Sequence, residues 1–185
     1  MDLNSMNRYL FASICLLILS GCKSNNSASI QTESQLSLEL MEINGIQSYP
    51  KGDYENALRL LKKPAAWGYK GSQYTLAFMF LEGQHVPQST LIGMGWLGVA
   101  TEVETEEWSE QYRQFYAAAP VQMKSEIDSI VNEYIRRYGM KAQNITCKKG
   151  PTIHTRAVRH VCTKSDAIST VYDIDLNEED VTIKQ

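Results

Sequence analysis

Cys147, His154, His160 and Cys162 crowd one short stretch of the chain. Thiolates and imidazoles are the ligands of structural zinc, but such sites bring their thiolates in close pairs, with about two to four residues between them. Cys147 and Cys162 form no such pair, and the spacing of the four residues matches no common zinc pattern, so the stretch predicts no metal. Gly93-Met94-Gly95-Trp96-Leu97-Gly98 matches Gly-x-Gly-x-x-Gly. Dinucleotide binding needs that loop directly after a strand, with an acid about twenty residues on. Here the preceding residues read as the capped start of a helix, and alanines, Pro120 and Val121 stand where the acid belongs. Glu102, Glu104, Glu106, Glu107 and Glu110 lack the glycine turn that a calcium loop requires. They read as a solvated, acidic helix start. His85 reads as a loop histidine on the surface, with no partner in its neighbourhood of sequence. No His-Glu-x-x-His, Gly-x-Ser-x-Gly or phosphate-binding loop is present. These residues predict no enzyme and no cofactor.

The strongest signal lies before all of these. Arg8 precedes an apolar run from Tyr9 to Leu19, too short to span a bilayer as a stable helix, and small residues follow. That is the order of a secretory signal. Its end, Leu19-Ser20-Gly21-Cys22, resembles the lipobox of bacterial lipoproteins. The resemblance implies cleavage after residue 21, palmitate and related acyl chains on Cys22, and a membrane anchor without a spanning helix. Several chains would make the anchor stable, since each buried methylene contributes about 0.8 kcal/mol. Lys23 stands where an aspartate would imply inner-membrane retention, so the resemblance favours the outer membrane, with the domain facing the periplasm. Export leaves Cys147 and Cys162 in an oxidising compartment, where they are expected to form a disulfide. Export and a net charge of −3 argue against a nucleic-acid partner.

Residues 22–37 are polar and read as the lipidated N-terminus and a flexible tether. Helical periodicity then dominates. Asp53 caps a segment with Tyr54, Ala57, Leu58 and Leu61 on one face, ended by Pro64. Ser72 opens a second, with Tyr74, Ala77, Phe78 and Leu81, closed by Gly83. Ser89 caps a third through Trp96 and Ala100. A fourth carries Trp108, Tyr112, Phe115, Tyr116 and Ala119, with Glu106, Glu107 and Glu110 where the helix dipole favours negative charge. The fifth, from Pro120 to Gly139, carries Met123, Ile127, Ile130, Val131, Tyr134, Ile135 and Tyr138 as a stripe. Beyond it, residues 144–149, 156–163, 169–175 and 180–184 read as strands.

Ser72-Gln73-Tyr74, Leu76-Ala77, Phe80, Gly83, Val86, Pro87, Trp96 and Ala100 fall at the spacings of a Sel-one-like repeat, a relative of the tetratricopeptide repeat. Ala77, His85 and Gly93 depart from the usual residues. Asp53 to Leu61 resembles the second helix of a preceding repeat. The resemblance covers residues 50–101, and the longer chain resembles small repeat-bearing lipoproteins of Gram-negative bacteria. It implies a mainly α fold: an antiparallel array of helix pairs over 38–101, capping helices over 102–140, and a small disulfide-linked β tail over 141–185. About three repeats are needed to bury such faces, which is why the last two helices are expected to cap the array.

The resemblance implies scaffolding, with an envelope protein or peptide as partner. Tyr74, Phe78, Trp96 and Trp108 are candidate contacts, although each also suits a core. Arg156 and Arg159 are candidates of another kind. Six basic residues and no acid lie between Lys141 and Lys164, and six acids follow between Asp166 and Asp180. Either the two halves pair across a sheet, or the basic half meets an anionic partner. A regulator or enzyme of cell-wall metabolism and a periplasmic small-ligand binder are the alternatives. The first predicts a cleft with a perturbed titratable group, the second an apolar pocket.

Overall fold

The structure, a computed structural model, describes residues 28–152 and 155–181, with the backbone alone for 149–152 and 155–161. The signal segment, Cys22, His154 and residues 182–185 lie outside the described residues. The order is β1 (Ala28–Thr32), α1 (Gln35–Ser48), α2 (Tyr54–Ala66), α3 (Lys70–Glu82), α4 (Thr90–Ala100), α5 (Glu106–Ala118), α6 (Val121–Tyr138), β2 (Ile145–Thr152), β3 (Thr155–Lys164) and β4 (Ile168–Tyr172). The chain is therefore mainly helical, with a small antiparallel hairpin closed by a Cys147–Cys162 disulfide. Among the described residues, no helix is long and apolar enough to cross a membrane.

Residues 28–37 are not a tether here. β1 pairs antiparallel with β4, from Ala28 opposite Tyr172 to Thr32 opposite Ile168, and α1 begins at Gln35. A polar strand lacks an apolar signature, but its backbone still needs a partner, and β4 supplies one. In α1, Leu38, Gly45 and Ser48 are buried. A side chain at Gly45 would meet Leu61 Cγ at 2.6 Å, so glycine lets α1 lie directly on α2.

Local chemistry sets the other boundaries. Asp53 accepts from Asn56 N–H at 3.3 Å and Ser89 Oγ from Ile92 N–H at 3.0 Å, both as N-caps. Pro64 does not end α2; it lies inside the last turn, and the helix runs on to Ala66. A proline near the end of a helix removes one backbone bond without stopping the turn beyond it. α3 starts at Lys70, before Ser72, and its own N-cap position holds Tyr69, whose side chain caps nothing. Glu42 of α1 takes over the task, accepting from Ser72 N–H at 2.9 Å. Gly83, at φ 68°, closes α3 in the left-handed region.

The core lies around α4. Every residue from Ile92 to Ala100 is buried. Trp96 stacks against Tyr138 and tilts against Tyr134, both at 4.8 Å between ring centres. The glycine-rich stretch is the interior of this helix. A side chain on Gly95 would meet Tyr134 at 2.9 Å, and one on Gly98 would meet Val131 at 2.5 Å. These glycines admit α6, and the helix around them uses its own amide N–H groups, leaving none for a phosphate.

The C-terminal segment is bound to α6. Tyr138 Oη donates to Asp173 O at 2.7 Å, buried Arg137 meets buried Asp175 at 3.4 Å, and Gln143 Nε2 donates to Arg137 O and Thr170 O. Ser89 Oγ then meets Glu178 at 2.6 Å. The basic and acidic halves thus do not pair across a sheet. β2 and β3 both belong to the basic half, while Asp175 turns to the helical body. The expected strand at 180–184 is absent at its start, where Asp180 ends a short 3-10 turn.

Candidate interaction surface

Trp96, expected as a possible contact, is fully buried and belongs to the core. The other three aromatic candidates come together. Tyr74 and Phe78 stand one turn apart on α3, with ring centres 5.0 Å apart. Tyr74 lies flat on Trp108 of α5, at 4.4 Å and 14° between planes. Phe78 meets the edge of Phe115 at 6.1 Å. Tyr74 Oη donates to Gln111 Oε1 at 2.9 Å, which fixes the register of the two helices. The three candidates are each half-buried, and Phe115 is 39% exposed.

This seam follows from how α5 is held. Thr105 Oγ accepts from Trp108 N–H at 3.4 Å, so Trp108 leaves the first turn already oriented. No residue of α5 is buried. Besides the seam, Tyr116 Oη donates to Asp128 at 3.1 Å and Lys124 lies over the Tyr116 ring at 5.1 Å. On the other flank of Tyr74, Tyr49 meets Tyr54 edge-on at 5.6 Å, and Gln84 Nε2 donates to Tyr54 Oη at 3.2 Å. Burial, reinforced by Glu107, raises the Tyr74 hydroxyl above its ordinary pKa. Burial, with Glu82 next, does the same at Tyr49. Both tyrosines therefore remain protonated donors at neutral pH.

Arg156 and Arg159 lie on β3, with Arg159 opposite Gly150, and nothing in the described structure brings them to the aromatic seam. His85 is exposed, with φ at 60°. Among the described residues, no group of His, Cys, Asp and Glu is arranged to hold a metal ion.

An open cleft of about 510 Å³ lies between the end of α4, α5, α6 and the turn after α6. Glu102, Glu104 and Tyr112 stand on its walls, with Val131 and Ile135 beneath. Behind Glu102 lies Lys70, which no motif or spacing singles out. Its Nζ donates to Gln73 Oε1 at 2.8 Å, Val99 O at 3.0 Å and Glu102 Oε2 at 2.8 Å. Burial pulls its pKa down to about 8, against the pull of Glu102. Three acceptors use all three N–H directions of an ammonium. Lys70 is thus a staple between α3 and the end of α4, and Glu102 extends it by accepting from Met140 N–H at 2.8 Å.

No protein-family model, curated protein or solved structure matches the chain.

Proposed function

We propose that the chain is a lipid-anchored interaction module of a bacterial cell envelope, held at the outer membrane through Cys22 and offering the seam between α3 and α5 to a partner protein. The observation that carries this reading is the seam itself. Tyr74, Phe78, Trp108 and Phe115 present aromatic surface on regular helices, and such residues dominate the energetics of protein interfaces. The Sel-one-like reading is part of the proposal. It is supported by the sequential packing of α1 on α2 and of α3 on α4. α6 then covers α4, as a cap would.

Photocrosslinking in intact cells tests the module. A photoreactive residue at Phe115 is expected to capture one envelope protein reproducibly, and one at exposed Val121 on α6 is not. Cys22→Ala is expected to release the protein from the membrane and abolish the capture. Equal capture from both positions, or none, would remove the reading. The cleft beside Glu102 favours a second reading, a small-ligand binder or cell-wall regulator. Loss of function on Glu104→Gln with the seam intact would select it.

A further inference from the structure

We infer that the seam docks a basic peptide segment, one that brings lysine or arginine side chains to the aromatic faces with apolar residues between them. The inference rests on the interaction reading and names the chemistry of its partner.

Charge separates the candidate occupants. The rings of the seam stand on α3 and α5, and α1 packs against α3. The acids of these three helices are Glu39, Glu42, Glu82, Glu106, Glu107 and Glu110. Their basic residues are Lys70 and Arg113. Lys70 is 3% exposed, with its ammonium engaged by Gln73, Val99 and Glu102. Arg113 is paired with Glu110 at 2.6 Å. Neither offers a cation to an arriving chain. Glu82, Glu106 and Glu107 are exposed; Glu107 acts electrostatically on Tyr74, and Glu82 on Tyr49, which lies near Tyr74. An acidic segment would meet repulsion here, and a neutral one would gain only apolar contact.

The aromatic faces favour the same sign. The face of an indole or phenol ring carries the negative lobe of its quadrupole and attracts ammonium and guanidinium groups. Carboxylates at the rim strengthen that attraction, because both act on the same cation. The apolar share of the partner is set by Phe115 and by α1, where Ile43 is 50% and Ile46 38% exposed. Ile46 lies against α3 at Gly71, where a side chain would come within 2.8 Å of its Cδ1. Apolar surface thus borders the first turn of α3 as well as its far end.

The test uses the full-length chain in detergent and three labelled synthetic peptides with identical Leu and Phe positions. The positions between are Lys and Arg in one peptide, Glu in the second and Ser in the third. Fluorescence anisotropy reads binding. The basic peptide is expected to bind about tenfold or more tighter than either other. Glu82→Gln combined with Glu107→Gln is expected to erase most of that preference. Phe115→Ser is expected to weaken the basic peptide, and Glu126→Gln, on the exposed side of α6, to change nothing. Circular dichroism confirms that each variant is folded. Equal affinity for all three peptides, lost on Phe115→Ser, would overturn the inference while leaving the interaction module standing. Basic-peptide binding that survives both seam variants would overturn it, because the peptide would then be bound elsewhere. No binding by any peptide, with crosslinking at Phe115 still capturing a protein, would overturn it as well. A dimer that dissociates on Phe115→Ser would replace the partner with a second copy of the chain.

Discussion

α4 and α5 follow one another in the chain, each carries a tryptophan, and they meet opposite fates. In α4 every residue from Ile92 onward is buried; in α5 none is. Trp96 lies at 0% exposure between Tyr134 and Tyr138, while Trp108 lies half-buried against Tyr74. Composition accounts for part of this. α4 reads Thr-Leu-Ile-Gly-Met-Gly-Trp-Leu-Gly-Val-Ala and has no charged residue, so burial strands no ion. Its glycines let α6 approach until Val131 sits where a Gly98 side chain would be. α5 carries Glu106, Glu107, Glu110 and Arg113 and has no glycine. A tryptophan on the first helix is therefore core, and one on the second keeps part of its surface in water.

The largest expected effect breaks the buried side. Trp96→Ala should cost about 3–5 kcal/mol, the range for truncating a large aromatic in a packed core. Urea denaturation would show this as a large fall in midpoint or as failure to fold. A loss no greater than that of Trp108→Ala would mean that the two helices are not energetically distinct.

The next effect is one of pH. Asp175 holds the C-terminal segment to α6, on the side that encloses Tyr134 and Tyr138. Burial, against the pull of Arg137, pushes its pKa up to about 6 from 3.8. A carboxyl that binds its proton more tightly in the folded state favours folding at low pH. Its contribution is fully present below the unfolded pKa and is lost as pH rises through about 6. The size is on the order of 2–3 kcal/mol, the free-energy equivalent of the gap between those two pKa values. Glu133 works in the opposite sense. Burial raises it, but its bonds from Arg136 and Arg137 outweigh burial and lower it, so its contribution is lost as pH falls. That slope is common to the natural chain and to Asp175→Asn. The stability at pH 4 less that at pH 7 should therefore be lower in Asp175→Asn than in the natural chain. An unchanged pH slope would sink the assignment to Asp175.

Much of this contrast is legible in the sequence, and the remainder is hidden for definite physical reasons. Asp53, Ser89 and Gly83 mark helix ends because a cap is a local interaction, written within a few residues. The disulfide joins the two cysteines that lie beyond the N-terminal apolar run and its Leu-Ser-Gly-Cys end, the pair for which the sequence reading expects an oxidising compartment. α1 is hidden because Leu36, Leu38 and Leu40 alternate as in a strand, and because Asn44-Gly45 reads as a turn. The case for helix at Gly45 lies on α2, in the side chain of Leu61. β1 is hidden for a similar reason, since its partner stands at the far end of the chain. Of the aromatic residues, type and spacing single out Tyr74, Phe78, Trp96 and Trp108 alike, each as core or contact, and show Phe115 only as part of a helical stripe. A helical period tells which residues share a face, but only the packing of α6 decides which faces are covered. Lys70 gives no signal at all, because a lone lysine early in a helix looks like a solvated one until Glu102 and Val99 are placed beside it.

On the exposed side the effects should be smaller. Trp108→Ala removes a stacked pair and part of a buried face, and should cost about 1–2 kcal/mol. It should also loosen α5, which hydrogen exchange would show as faster exchange over residues 106–118 with α4 still protected. Equal loss of protection in both helices would mean that α5 is part of the core and that its exposure is incidental.

Phe115→Ser gives the smallest effect and the sharpest form of the comparison. Phe115 meets Phe78 in a T-shaped contact across the seam and leaves 39% of its surface in water. Exchanging it for a hydroxyl group gives up only the covered part of the ring, since the exposed part lies in water in the folded and unfolded chain alike. The expected cost in unfolding free energy is about 1 kcal/mol, below that of Trp108→Ala and far below that of Trp96→Ala. A large aromatic that contributes so little to folding is free to contribute to binding, and truncation at an interface anchor typically costs more than about 1 kcal/mol of affinity. Urea denaturation and crosslink yield measured on this one variant therefore separate the two roles. Near-normal stability with capture lost places Phe115 on the binding surface. A stability loss approaching that of Trp96→Ala would instead return the whole seam to the core.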